Sequence, residues 1–221
     1  MILEAAQAHE RLGQWAQSLR KSRLAADLFD REGDAAHAAQ ALAQVADVSF
    51  RTGHPDEALR TLTEPVLPVY ERLGDVRAKA VTMGKIADIL HARGQLDEAL
   101  RLHEDSALTY KALGDSSGLA RVQFSMAQLM LQRGDHERGG MLGIYEKLAE
   151  AFAISRSSGR PEAIGAIGSL LAQVMATGGL IDEALDVLTH AESAYATLGN
   201  EAGLDEVARL RKAIGAQRPS A

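Results

Sequence analysis

With 221 residues, no cysteine and a formal net charge of −6, the chain is long enough for a substantial core, and disulfides, thiolate metal sites and Cys nucleophiles are excluded. Aromatic residues are only 4% and β-branched runs are missing, which favours packed helices over sheet. The dispersed acidic balance argues against a nucleic-acid or anionic-membrane partner. No stretch of about 18 apolar residues occurs, and the opening MILEAAQAHERLG lacks the basic and apolar regions of a signal peptide. The expectation is a cytoplasmic protein.

Glycines punctuate the chain at Gly13, Gly33, Gly53, Gly74, Gly94, Gly114, Gly134, Gly159, Gly179, Gly199 and Gly215. Between them apolar residues recur at i, i+3, i+4 and i+7, as in Val122, Met126, Leu129 and Met130. A glycine after each helix supplies the left-handed closing residue, and Asp34, Asp75, Asp115 and Asn200 stand where a side chain caps the next helix. This predicts eleven helices, over 1–12, 14–32, 34–52, 55–73, 75–93, 95–113, 115–133, 135–158, 160–177, 180–198 and 200–214. They alternate between a leading and a trailing member of each pair.

The leading helices keep one register. Seven residues before the closing glycine stands an alanine: Ala6, Ala46, Ala87, Ala127, Ala172 and Ala208. A small side chain belongs where two helices cross closely. The trailing helices carry a matching small residue five after the glycine, at Ser18, Ala58, Ala99, Gly139 and Ala184, and an aromatic four before the next one, at Phe29, Tyr70, Tyr110 and Tyr195, with Ser155 the exception. Large filling small across a pair is core packing.

Two trailing helices break the pattern. That over 55–73 is one residue longer than its siblings and holds Pro65 and Pro68, so a bulge or kink is expected. That over 135–158 is five longer and holds Gly139, Gly140 and Gly143, so it should be loosened, bent or started late. At the ends, the first helix looks clipped and the last carries Glu206, Arg209, Arg211 and Lys212, as a solvated cap should.

The turn Gly-x-x-Asp-Glu-Ala-Leu, present at Gly53–Leu59, Gly94–Leu100 and Gly179–Leu185, together with the small and aromatic positions, resembles the tetratricopeptide repeat over essentially the whole chain. The period of 40 or 41 residues in most steps resembles the long-period type of kinesin light chains and leucine-glycine-asparagine-rich adaptors. The resemblance implies an all-α, right-handed superhelical solenoid of antiparallel helix pairs, with about five repeats and a C-terminal capping helix. It implies a single domain over 1–215, followed by a short tail at 216–221.

It also implies that leading helices line a concave groove for a peptide or partner domain, at positions six, three and two before the alanine and one, four and five after it. Gln40 falls on the first of these in the second leading helix. The candidates for partner contact are Gln44, Asp47, Phe50 and Arg51; Lys85, Asp88 and His91; Arg121, Phe124 and Gln128; and Gln173. Amides offer donor and acceptor to a peptide main chain, while Arg51, Lys85 and Arg121 can pair with a carboxylate.

No catalytic, metal or cofactor constellation stands out. The seven histidines show no His-x-x-x-His spacing, and Ser157-Ser158-Gly159 lacks the lysine and strand of a phosphate loop. Trp15 reads as a core staple. The expected function is a non-catalytic protein–protein interaction scaffold or sensor that binds a protein or peptide, with no nucleic acid, membrane or cofactor. The alternatives are self-association, through the N-terminal edge or the Met126–Met130 surface, and a regulatory domain of a larger bacterial signalling or effector protein.

Overall fold

The computed structural model describes residues 2–217; of the expected tail, 218–221 lie outside the described residues. Every described element is helical. In chain order these are α1 (Ile2–Arg11), α2 (Trp15–Arg31), α3 (Ala35–Arg51), α4 (Pro55–Thr61), a π-helical turn (Leu62–Val66), α5 (Leu67–Leu73), α6 (Val76–Ala92) and α7 (Leu96–Leu113). There follow α8 (Ser116–Gln132), a 3-10 turn (Asp135–Arg138), α9 (Met141–Ser157), α10 (Pro161–Thr177), α11 (Ile181–Leu198) and α12 (Glu201–Gly215). With α4, the π turn and α5 read as one rod, these are the eleven predicted helices of an all-α repeat solenoid.

The chain divides into two compact units, Met1–Leu113 and Gly114–Ala221. In the first, the leading helices α1, α3 and α6 touch one another in succession, and α2, α4–α5 and α7 each pack on a leading helix. In the second, α9 packs on α8 and α10, while α11 packs on α10 and α12. An apolar cluster centred on Ile144, Leu148, Leu171 and Leu188 fills the second unit.

The turns follow from the sequence. Except for Gly215, the eleven glycines that punctuate the chain have positive φ. At Gly33, for example, the glycine N–H donates to Asp30 and the Asp34 N–H to Phe29, which uses carbonyls left over at the helix end. The side chains of Asp34, Asp75, Asp115 and Asn200 then accept the N–H of His37, Ala78, Gly118 and Gly203, satisfying donors orphaned at the next helix start.

The crossing register holds at Ala6, Ala46, Ala87, Ala127 and Ala172, all fully buried, and fails at the last. Ala208 is exposed: α12 runs through Gly215, so counting back from that glycine lands on the wrong face, and Val207 takes the buried place. In the trailing helices Ser18, Ala58, Ala99 and Ala184 are fully buried, whereas Gly139 lies outside the helix. The residues around it close a 3-10 turn and α9 begins at Met141. Five extra residues are absorbed before the helix, and Ile144, whose N–H bonds the Gly140 carbonyl as that of Ala99 bonds Gln95, occupies the small residue's place.

The other irregular helix absorbs its extra residue internally. The run from Pro55 to Leu73 is one residue longer than the 18 of α7 and α11, and the excess is taken up by the π turn around Pro65.

Candidate partner-binding groove

In the first unit the leading helices present their polar residues to three adjoining cavities. The largest, about 630 Å³, is bounded by α1, α3, α6 and the end of α5. The second, about 410 Å³, is lined by Glu10, Ala46, Asp47, Phe50, Arg51, Lys85, Asp88 and Ile89. A third lies beside Trp15 and Arg51. The structure thus brings Asp47, Phe50, Arg51, Lys85 and Asp88 together on one cavity wall and puts Gln44, Asp47 and Lys85 on the neighbouring one. His91 lines none of the three and is half-buried at the end of α6.

These side chains join helix to helix. Gln44, only 6% exposed, donates from Nε2 to Glu10 Oε2 at 2.9 Å. Arg51 Nε lies 3.4 Å from the other oxygen of the same carboxylate. Its guanidinium carbon also sits 5.9 Å from the centroid of the Trp15 ring, a cation–π arrangement. Lys85 pairs with Asp47. Asp88 lies 3.4 Å from Nε2 of His103, a fully buried residue of α7. Consecutive leading helices are therefore tied by charge-assisted contacts at the positions that face the cavities.

Glu10, Gln7, Tyr70 and His103 were missed by sequence reasoning. Glu10 and Gln7 stand four and one residues after Ala6, on the same rule that locates Phe50 and Asp47 from Ala46; the rule was not carried to the clipped first helix. His103 falls four after Ala99 and three before Ser106, on the buried face of α7. Trp15 is half-buried at a cavity wall, so the reading of it as a core staple gives way to that of a rim residue.

In the second unit Arg121, Phe124 and Gln128 share α8. Arg121 and Gln128 are exposed, and Phe124 packs against the unit's apolar cluster. Gln173, exposed on α10, donates to the Ser169 carbonyl of its own helix at 3.2 Å. Met126 is 3% exposed and Met130 packs against the same cluster, so the supposed Met126–Met130 association surface belongs to the core. Among the described residues there is no group of three metal-capable side chains, and no helix is long and apolar enough to cross a membrane.

Comparison with known sequences gives one family match: a tetratricopeptide-repeat model covers residues 78–138, which run from α6 through α7 and α8 into the 3-10 turn. Within 78–138 the chain carries a tetratricopeptide-repeat segment. No curated protein sequence matches it. Solved structures extend the likeness of fold to nearly the whole chain. The kinesin light chain-like repeats of Podosopora anserina share 18% identity at a TM-score of 0.65, covering 90% of this chain and 95% of theirs. The Rap conjugation gene regulator of plasmid pLS20, solved with the Phr* peptide, shares 12% at 0.75, covering 99% and 58%. A STAND signal-transduction ATPase of Pyrococcus horikoshii with a tetratricopeptide-repeat sensor shares 15% at 0.79, covering 96% of this chain and 32% of its own. The chain thus spans little more than half of the regulator and about a third of the ATPase.

Proposed function

We propose that this tetratricopeptide-repeat chain is a non-catalytic interaction module that binds a peptide or a segment of a partner protein on the faces of its leading helices. The observation that carries this reading is the set of adjoining cavities in the first unit, walled by Asp47, Phe50, Arg51, Lys85 and Asp88 and by Gln44. A concave surface with a few convergent polar groups is the usual form of a binding site. The regulator of similar fold was solved with a peptide, which is in keeping with such a role. Arg121, Phe124, Gln128 and Gln173 are proposed as further contacts from the second unit, and the module is placed in the cytoplasm.

The test is affinity capture from a lysate of the source organism, comparing the parent chain with a Lys85→Glu, Arg121→Glu variant. Circular dichroism and melting temperature serve as the folding control. The reading expects the variant to stay folded and lose its captured partner. Undiminished capture by folded variant would rule out the leading-helix faces.

A further inference from the structure

The polar side chains foreseen for the first unit's groove are already engaged within the chain. Gln44 donates to Glu10, Arg51 faces Glu10 and Lys85 pairs with Asp47. A ligand that reaches them must exchange one polar contact for another of similar worth, which contributes little. The largest cavity holds a second set. Gln7 on α1 and Gln40 on α3 are exposed and line it. Among the described residues neither side chain has a hydrogen bond or ion pair. Tyr70 lines the same cavity with its side chain 7% exposed, and its hydroxyl has no partner among the described residues.

We infer that Gln7, Gln40 and Tyr70 form a subsite that reads the main chain of an extended, uncharged peptide segment; this rests on the groove reading above. Each carboxamide offers an oxygen acceptor and an NH₂ donor, the complement of the N–H and C=O that one residue of an extended strand turns to the same side. The two amides come from helices in direct contact; packed helices lie about 8–10 Å apart and an extended strand rises about 3.3 Å per residue, so residues about three apart along one strand meet successive repeats. Tyr70 adds a donor. Burial, helped by the Asp75 carboxylate, raises its phenol above the ordinary 10.0, so the O–H stays protonated at neutral pH. The charged groups on the cavity wall are already engaged: Glu10 faces Arg51, Asp47 pairs with Lys85, His37 with Asp34 at 2.7 Å, the Asp75 carboxylate accepts the Ala78 N–H at 2.9 Å, and Arg77 is likewise engaged. A charged ligand side chain would lose water there and have to compete for its counter-charge.

The test is selection of a phage-displayed random peptide library against the full chain, followed by dissociation constants for a selected peptide. The expectation is a peptide without charged residues at its core that loses about tenfold or more in affinity for Gln7→Ala, Gln40→Ala and about fivefold for Tyr70→Phe, as befits one or two hydrogen bonds. The unfolding midpoint of the double variant should not move, because neither amide has an internal partner. Replacing one backbone amide of the peptide by an ester should weaken binding to the parent chain but not to the double variant, a signature that a merely structural role would not produce. A peptide lost on Lys85→Glu but bound unchanged by the double variant would overturn this inference and leave the groove. Peptides indifferent to both variants, or a selection that yields none, would overturn the groove reading as well.

Discussion

The ring of Tyr195 occupies the space that a side chain on Gly203 would need. An ideal β-carbon on Gly203 would lie 2.5 Å from the ring's Cγ, and one on Gly165 would lie 2.6 Å from its Cε1. The tyrosine of α11 is thus held between glycines of α10 and α12. Intrinsic propensity favours alanine over glycine in a helix by about 1 kcal/mol, so on local grounds either substitution should stabilise. Overpacking costs about 1–3 kcal/mol and decides the sign. Gly203→Ala is expected to lower stability more than Gly165→Ala, since Cγ cannot withdraw without rotating the whole side chain whereas the ring edge can. Urea unfolding of both variants checks the order.

The crossing alanines lead to a second expectation. Ala127 is fully buried, and Ala127→Leu forces three further carbons into a filled contact. The cost of overpacking is about 1–3 kcal/mol, or roughly 2–4 °C of melting temperature per kcal/mol in a chain of this size. The same change at the exposed Ala208 should leave the melt within error of the parent. Equal effects at both sites would contradict the register.

Removal of Pro65 should be tolerated. The π turn holds one residue more than the sibling helices need, and Pro65 supplies no backbone donor. Deleting it leaves 18 residues, the length of α7 and α11, and brings Ala58 and Tyr70 to the spacing of Ala99 and Tyr110. A deletion variant that stays folded, with the π turn gone from its chemical shifts and a bend kept at Pro68, is the expected result.

Glu10 serves two partners, and its loss should be felt locally. In Glu10→Ala the nearly buried Gln44 amide loses its acceptor, at a cost of about 1–3 kcal/mol. Amide exchange in α1 should accelerate while that in α10 and α11 stays as in the parent, because repeats open from an end.

The acid limb of the stability curve should include Asp34. The backbone N–H of His37, and then its ring, hydrogen-bond the carboxylate and hold its pKa below the ordinary 3.8. A depressed folded-state pKa means that the stabilisation is present above the unfolded value and is lost as pH falls through the folded one. Asp34→Asn keeps a capping oxygen and removes this dependence. Its acid unfolding should be shallower below about pH 4, and carbon-detected titration of the parent should place Asp34 below the ordinary carboxylate value.

The architecture was legible in the sequence because each repeat states the same local instruction: a left-handed glycine, a capping Asp or Asn, an alanine at the crossing and an aromatic to fill it. Counting failed where that instruction was interrupted. Gly215 looks like a closing glycine but lies within α12, and Gly139 looks like a crossing residue but closes a turn, because a count from one glycine cannot see where the chain spends its extra residues. The cavity-facing positions were legible on α3 and α6 for the same periodic reason. Their occupation was not: that Gln44 answers to Glu10 and Lys85 to Asp47 depends on how neighbouring helices meet, which no single helix's pattern contains.

One contact gives the molecule a built-in optical gauge. Trp15 is the chain's sole tryptophan, and the Arg51 guanidinium over its ring is also anchored by Glu10 at the cavity wall. Anything that draws Arg51 toward itself uncovers the indole, and anything that presses it back shields the ring from water. Its emission therefore tracks the state of the leading-helix face without a label, and a titration curve can be read from the colour of one residue.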